Sequence, residues 1–331
     1  MKRAAALLML LVLALSGCTS GKPVAKAGDA SVLRLGYLAN LTHAQAILGV
    51  ADGSLARAAG ARIETKVFTA GPAAITALFA GELDMLYVGP SPAVTGYVRS
   101  EGKALRIIAG GASGGAVFVT RQGFDSAHLD GARLATPGLA NTQDVALRHM
   151  LSERGLRTRE QGGTVQVNPL VPADALMLFQ RGQLDGAWVA EPWGSRMVKE
   201  AGAQIAWDER DLWPDHQFAT TVLVANADYL AHNRDRVRGF LQGHVALTLW
   251  IQQHPDEARQ RLAEGIKQLT GKPLPDDVMR SSLGRIDFLY DPMLDSVRTQ
   301  ADWAYRLGFL GAREPDLSAL YDLTLLSEVA Q

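Results

Sequence analysis

Asn40, Thr42 and His43, then Gly71, then Ser91, then Asn141, Thr142 and Gln143, and finally Glu191 and Trp193 share one setting. Each stands just after a short apolar segment, where a run with helical spacing begins. The first N–H groups of a helix have no partner inside it and carry partial positive charge. Several such starts converging on one point would cradle an acidic group without Lys or Arg. The loops around these residues contain neither. Ser, Thr and Asn also cap ordinary helices. Their recurrence in two similar stretches of chain favours a shared binding site over isolated caps.

The residue types that catalysis needs are not in order. Gly89-Pro90-Ser91-Pro92-Ala93 is partly laid out like a nucleophile elbow, but Pro flanks the Ser on both sides and Ala stands where the last Gly belongs. Pro92 has no N–H for an oxyanion hole. The seven His show no pair at helical metal spacing, and a single Cys cannot build a multi-Cys metal site. No catalytic residue, metal or cofactor is therefore expected. Gly110–Gly115 is glycine-rich, but no Gly-Lys-Ser/Thr follows, which argues against a phosphate loop. Asp208-Glu209-Arg210-Asp211 reads as a solvated charged turn. Trp188 and Trp193 are suited to core packing or to covering the apolar part of a ligand.

The elements that must hold these residues follow from periodicity. Residues 32–37, 62–68 and 85–88 read as strands, separated by helical stretches from Thr42 and from Gly71-Pro72. Ile75, Leu78 and Phe79 form the expected buried stripe of the second stretch, and Gly81 ends it. Strand–helix alternation of this kind implies an α/β fold with mainly parallel sheets. Leu78-Phe79-Ala80-Gly81-Glu82-Leu83-Asp84 and the strand after it are echoed by Leu178-Phe179-Gln180-Arg181-Gly182-Gln183-Leu184-Asp185 and its strand. Two similar lobes are expected. The division is 31–115 for the first part of lobe 1, 116–216 for lobe 2, and 217–331 for a return strand and C-terminal helices. The glycine-rich stretch at 110–115 is expected to break two consecutive strands and serve as a crossover.

The 331 residues balance Lys+Arg 33 against Asp+Glu 34, for a formal net charge of −1. Nucleic acid binding needs a concentrated positive field, which is missing. At the amino end, Lys2-Arg3 precedes an apolar run from Ala4 to Leu15, too short to span a bilayer as a helix. Leu15-Ser16-Gly17-Cys18 resembles the bacterial lipoprotein processing box. That resemblance implies a signal peptide at 1–17, lipidation of Cys18 and a flexible tether at 18–30.

Leu35-Gly36-Tyr37 with Asn40-Leu41-Thr42-His43-Ala44, Gly81-Glu82-Leu83-Asp84, and Gly89-Pro90-Ser91-Pro92-Ala93 form an ordered set. Asn141-Thr142-Gln143-Asp144 and Trp188-Val189-Ala190-Glu191-Pro192-Trp193 continue it. The set resembles the sulfonate/nitrate/taurine-type substrate-binding proteins of ABC importers. The resemblance implies a two-lobed type II periplasmic binding fold, each lobe a mainly parallel sheet flanked by helices, with a helical C-terminal part. It also implies a small anionic ligand, ABC permease subunits as partners, no catalysis, no nucleic acid and a monomer. The place implied is the cell envelope, lipid-anchored and facing the periplasm or cell exterior. Asn40, Thr42 and His43, the Ser91 helix start, and Asn141 and Thr142 match that family's cleft positions; with Gly71, Gln143, Trp188, Glu191 and Trp193, singled out by the residue pattern above, they make up the expected ligand contacts. A pyrimidine-precursor synthase-like enzyme on the same fold, or a ligand sensor subunit, are the alternatives.

Overall fold

The computed structural model describes residues 31–330. The stretch in which a signal peptide, a lipidated Cys18 and a tether are expected lies outside the described residues.

In chain order the first part runs β1 (Val32–Leu38), α1 (Ala44–Ala51), α2 (Ser54–Ala59), β2 (Arg62–Phe68), α3 (Gly71–Phe79), β3 (Met85–Val88), α4 (Pro90–Arg99) and β4 (Leu105–Gly114). A second part follows: β5 (Ala116–Arg121), β6 (Arg133–Thr136), α5 (Thr142–Glu153), β7 (Gln166–Pro169), α6 (Pro172–Gln180), β8 (Gly186–Ala190), α7 (Trp193–Ala201) and β9 (Ala203–Asp208). The chain then returns through β10 (Ala219–Asn226), α8 (Ala227–His232), α9 (Arg234–Gln253), α10 (Pro255–Thr270), α11 (Asp276–Leu283), β11 (Ile286–Phe288), α12 (Leu294–Arg306) and α13 (Thr324–Val329). Two sheets result, ordered β11-β4-β10-β3-β1-β2 and β7-β6-β8-β5-β9.

Both sheets are mixed, where mainly parallel ones were expected. The trio β2-β1-β3 is parallel, as is β7-β6-β8. Beside each trio lies a strand that arrives straight from the other lobe, β10 in one and β5 in the other, and it pairs antiparallel. Parallel pairing requires a long crossover, usually a helix. A strand crossing directly between lobes enters from the opposite end. Nor does the glycine-rich stretch break the strand where expected: Gly110–Ser113 lies inside β4. The turn itself falls at Gly114 and Gly115, both with φ near +70°, which a side chain rarely tolerates.

Lobe 1 has a core on each face of its sheet. Met85 and Tyr87 face a cluster with α1, α9 and α10; Leu86 and Val88 face another with α3, α4 and α12. This is period-two alternation with both faces covered. Phe79, expected in the buried stripe of α3, is instead 43% exposed.

The repeat seen in the sequence is held by one device used twice. In lobe 1 the Arg34 N–H and Nε both donate to Asp84 Oδ2, at 2.7 and 3.1 Å, and its guanidinium reaches the Gly81 carbonyl at the end of α3. In lobe 2 the Arg133 N–H and Nε donate to Asp185 Oδ2, at 2.9 and 3.0 Å, and its guanidinium reaches the Gly182 carbonyl, at 3.0 Å. Each clasp ties a central strand to the helix–strand turn beside it. The Arg133 hydrogen bonds hold Asp185 down at about 2.

The lobes are linked by more than the two crossings. Helix α12 packs on α4 of lobe 1 and α5 of lobe 2. Its Trp303 stacks on His149 at 4.2 Å and meets Trp213 at 4.7 Å between ring centroids. Among the described residues no helix is long and apolar enough to cross a membrane.

Candidate functional site

A cavity of about 720 Å³ lies between the lobes, at the carboxyl ends of both parallel trios. It is bounded by Leu38 at the end of β1 and Asn40 after it, Phe68 at the end of β2, Gly89 after β3, Pro137 after β6, Val171 after β7 and Ala190 at the end of β8. Open α/β sheets offer their ligand crevice at these ends.

Of the residues singled out in the sequence, Asn40, Thr42, His43, Gly71, Asn141, Thr142, Gln143 and Trp193 line this cavity. His43 is buried, which pushes it down from 6.5 to about 3, so its ring is neutral. Its Nδ1 accepts from the Leu38 N–H at 3.3 Å. The ring proton therefore sits on Nε2, making that nitrogen a donor. Thr42 is already engaged: it donates to Asn40 Oδ1 at 2.8 Å and accepts from Thr221 at 3.1 Å. Its part is to fix the loop after β1.

The start of α5 is the richest donor group. Asn141 makes no side-chain cap, and Val145 is the first residue whose N–H returns to the helix, bonding the Asn141 carbonyl. The Thr142 hydroxyl is buried without a partner. A Cβ placed on Gly89 would fall 2.3 Å from that hydroxyl, so lobe 1 and lobe 2 touch here through glycine. Gly71 allows a similar close approach within lobe 1, since its Cβ would lie 2.6 Å from Pro92 Cγ.

Three expected contacts lie off the cavity lining. Ser91 is wholly buried in the first turn of α4, with its hydroxyl unpartnered. Pro90 and Pro92 remove two N–H groups from that turn, so it offers far less of an anion cradle than its position suggests. Trp188 is buried in lobe 2, where its Nε1–H donates to Glu209 at 2.6 Å. Glu209 is 1% exposed, so the acidic cluster read as a solvated turn contains a buried carboxyl. Burial pushes that carboxyl up from 4.5 to about 7, against the bond from Trp188.

Glu191 is fully buried and ties the lobes together. Its carboxylate accepts from the Ser195 N–H and hydroxyl, both at 2.9 Å, and from the Ser282 hydroxyl of α11 at 3.1 Å. Arg285 stands 3.6 Å from it and 3.6 Å from Asp208. The Glu191 carbonyl also accepts the Leu41 N–H across the cleft floor at 3.0 Å. Burial raises Glu191 above its ordinary value, and the Ser195 bonds oppose this.

The sequence reading missed the cavity's charged groups. Arg196 lies 4.4 Å over the Trp193 ring and bonds Glu200 at 2.6 Å. The spacings 193, 196 and 200 place all three on one face of a helix, so they were legible. Lys272, on the loop between α10 and α11, had no such signal. Ile266, Leu269 and Leu274 of the same region supply an apolar wall. Among the described residues no group of three His, Cys, Asp or Glu side chains is placed to hold a metal ion.

Two α/β lobes joined by direct crossings, with the cavity between them, define a two-lobed periplasmic-binding-protein fold. The chain belongs to the NMT1-like family, whose profile matches residues 26–267. A protein of Brucella abortus named only as a binding protein is 26% identical over 228 residues, covering 68% of this chain and 69% of its own. The alkanesulfonate-binding protein of Xanthomonas axonopodis, solved with MOPS, superposes with a TM-score of 0.73 at 20% identity, over 88% of this chain and 99% of that one. The nitrate-binding protein of Synechocystis gives 0.76 at 16% identity, over 91% and 88%.

Proposed function

We propose that this chain is the extracytoplasmic solute receptor of an ABC importer. It captures a small solute with an oxyanion head, a sulfonate first of all, and presents it to a permease chemically unchanged. The observation that carries this reading is the cavity between the carboxyl ends of the two parallel trios. The named binding functions of the relatives agree with it. The solute's head meets neutral donors: the start of α5 with Asn141, Thr142 and Gln143, and His43 through Nε2. Ser91, buried off the cavity lining, keeps an unused hydroxyl. Arg196 is neutralised by Glu200 and does not serve as a clamp. A buried anion needs its lone pairs satisfied, because each unmade bond to a charged group costs more than about 1–3 kcal/mol. Cys18 would carry the lipid that keeps the receptor at the cell envelope.

A thermal-shift panel of sulfonates, nitrate and taurine tests the reading. A true ligand at a hundredfold excess over its Kd adds about 2.7 kcal/mol of stability. A panel in which no anion shifts the transition would count against it.

A further inference from the structure

The cavity also constrains the size and shape of what it holds, given the receptor reading above. Its volume of about 720 Å³ lies within the range of roughly 300–1,000 Å³ of pockets for drug-sized organic ligands. Allowing each atom of a four-atom oxyanion such as nitrate as much room as a liquid water molecule, about 30 Å³, the ion would leave about five-sixths of that space to water. Water is a poor occupant here, because much of the wall is apolar. Val67, 43% exposed, faces the space from lobe 1, Val171 from lobe 2, and Leu269 and Leu274 from the α10–α11 region. Phe68 and Trp193 present ring surface to the cavity from different lobes. Pro137, Pro172, Pro192, Pro273 and Pro275 line the same walls, and their fixed φ limits local rearrangement of the chain around a small solute. Charge is confined to Arg196, Glu200 and Lys272. The remaining polar lining is neutral: Asn40, Thr42 and His43 of lobe 1 and Asn141, Thr142 and Gln143 of lobe 2, with the hydroxyls of Thr69, Thr220 and Thr270.

We propose that the solute is a ring-bodied organic anion of roughly 14–20 non-hydrogen atoms with one acidic head, and that nitrate- or taurine-sized solutes are not its ligands. The head sits against the α5 start and His43. The rings lie between Phe68 and Trp193 and extend toward Leu269 and Leu274. The ring face replaces water on every apolar wall at once, which a short solute cannot do.

Calorimetric titration of the purified protein with 2-naphthalenesulfonate, methanesulfonate, taurine and nitrate tests this. All four carry an oxyanion, so the comparison isolates the body. The naphthalene compound is expected to bind about a hundredfold tighter than methanesulfonate or more. Ala173→Trp, at an exposed cavity-lining position in the first turn of α6, should abolish that binding while the circular dichroism spectrum stays unchanged. Equal or tighter binding of a small anion overturns the size class and leaves the receptor reading standing. If none of the four binds at millimolar concentration, both fall. Naphthalenesulfonate binding that survives Ala173→Trp overturns the placement of the rings.

Discussion

The buried carboxyl of Glu209 should make the protein less stable as the pH rises from acid to neutral. In the unfolded chain this group titrates near 4.5, and in the folded protein near 7. Between those values the folded state keeps a proton that the unfolded state has released. Stability therefore falls through that window and levels off above it. A gap of about 2.5 at 1.36 kcal/mol per pH unit amounts to about 3 kcal/mol. Glu209→Gln keeps a carbonyl oxygen for the Trp188 Nε1–H and removes the titration. Urea unfolding of both proteins at several values from pH 5 to pH 8 measures the difference. The variant should match the native protein near pH 5 and exceed it by about 2–3 kcal/mol at pH 8. All other titrating groups cancel in the comparison. A difference that stays flat across the range would show that Glu209 ionises freely, and that its burial among the tryptophans has been misjudged.

Ser282→Ala removes the bond from α11 to Glu191, a charged-acceptor hydrogen bond worth about 1.5–3 kcal/mol; small-angle scattering should show a more open average shape, and an unchanged radius of gyration would deny this bond any part in holding the lobes together. Gly89→Ala sets a Cβ 2.3 Å from the Thr142 hydroxyl, so solute affinity should fall at least tenfold, alongside an overpacking cost of about 1–3 kcal/mol in stability; titration of the still-folded variant with a confirmed ligand decides it. Asp185→Asn frees Arg121 and Arg133 from their shared carboxylate and should cost about 1–2 kcal/mol at pH 7, discounted for the half-exposed arginines. That loss should shrink as the pH falls through 3.8 toward 2, where the native carboxylate itself protonates, as acid denaturation of the two proteins would record. Cys18→Ala should release the protein from membranes; a variant that still sediments with them and takes up fatty acid label would refute the anchor.

Much of the architecture could be read from local pattern. The second strand, 62–68, and the third, 85–88, were placed by alternation and by the glycine and proline that bound them. The return of the chain to the first sheet at β10 followed from a strand-like run after the second lobe. The paired arginine clasps could not be read: Arg34 and Asp84 are fifty residues apart in sequence and meet only because β1 and β3 are neighbours. Glu209 was misread because an acidic cluster usually faces water. Its burial depends on Trp188, a residue of a different strand. Glu191 belonged to the motifs that carried the family resemblance, yet its carboxylate turns toward Ser195 and Ser282 and lies off the cavity lining. A motif marks which residue matters, while only the packing around it says toward what.

The interleaving of the two sheets has a consequence for the order in which the chain can fold. Lobe 2 is one uninterrupted stretch, and all five of its strands exist once β9 has been synthesised. Lobe 1 is different, because β10 lies between β3 and β4. Until β10 is made, those two strands have no partner along their facing edges, and such edges are prone to stray pairing. The inserted lobe can thus be complete while the lobe that begins and ends the chain is still a split sheet. A nascent chain halted near residue 216 would carry one finished domain and one with its middle strand missing. Destabilising substitutions should therefore harm yield more through aggregation of half-made lobe 1 than through any defect of lobe 2.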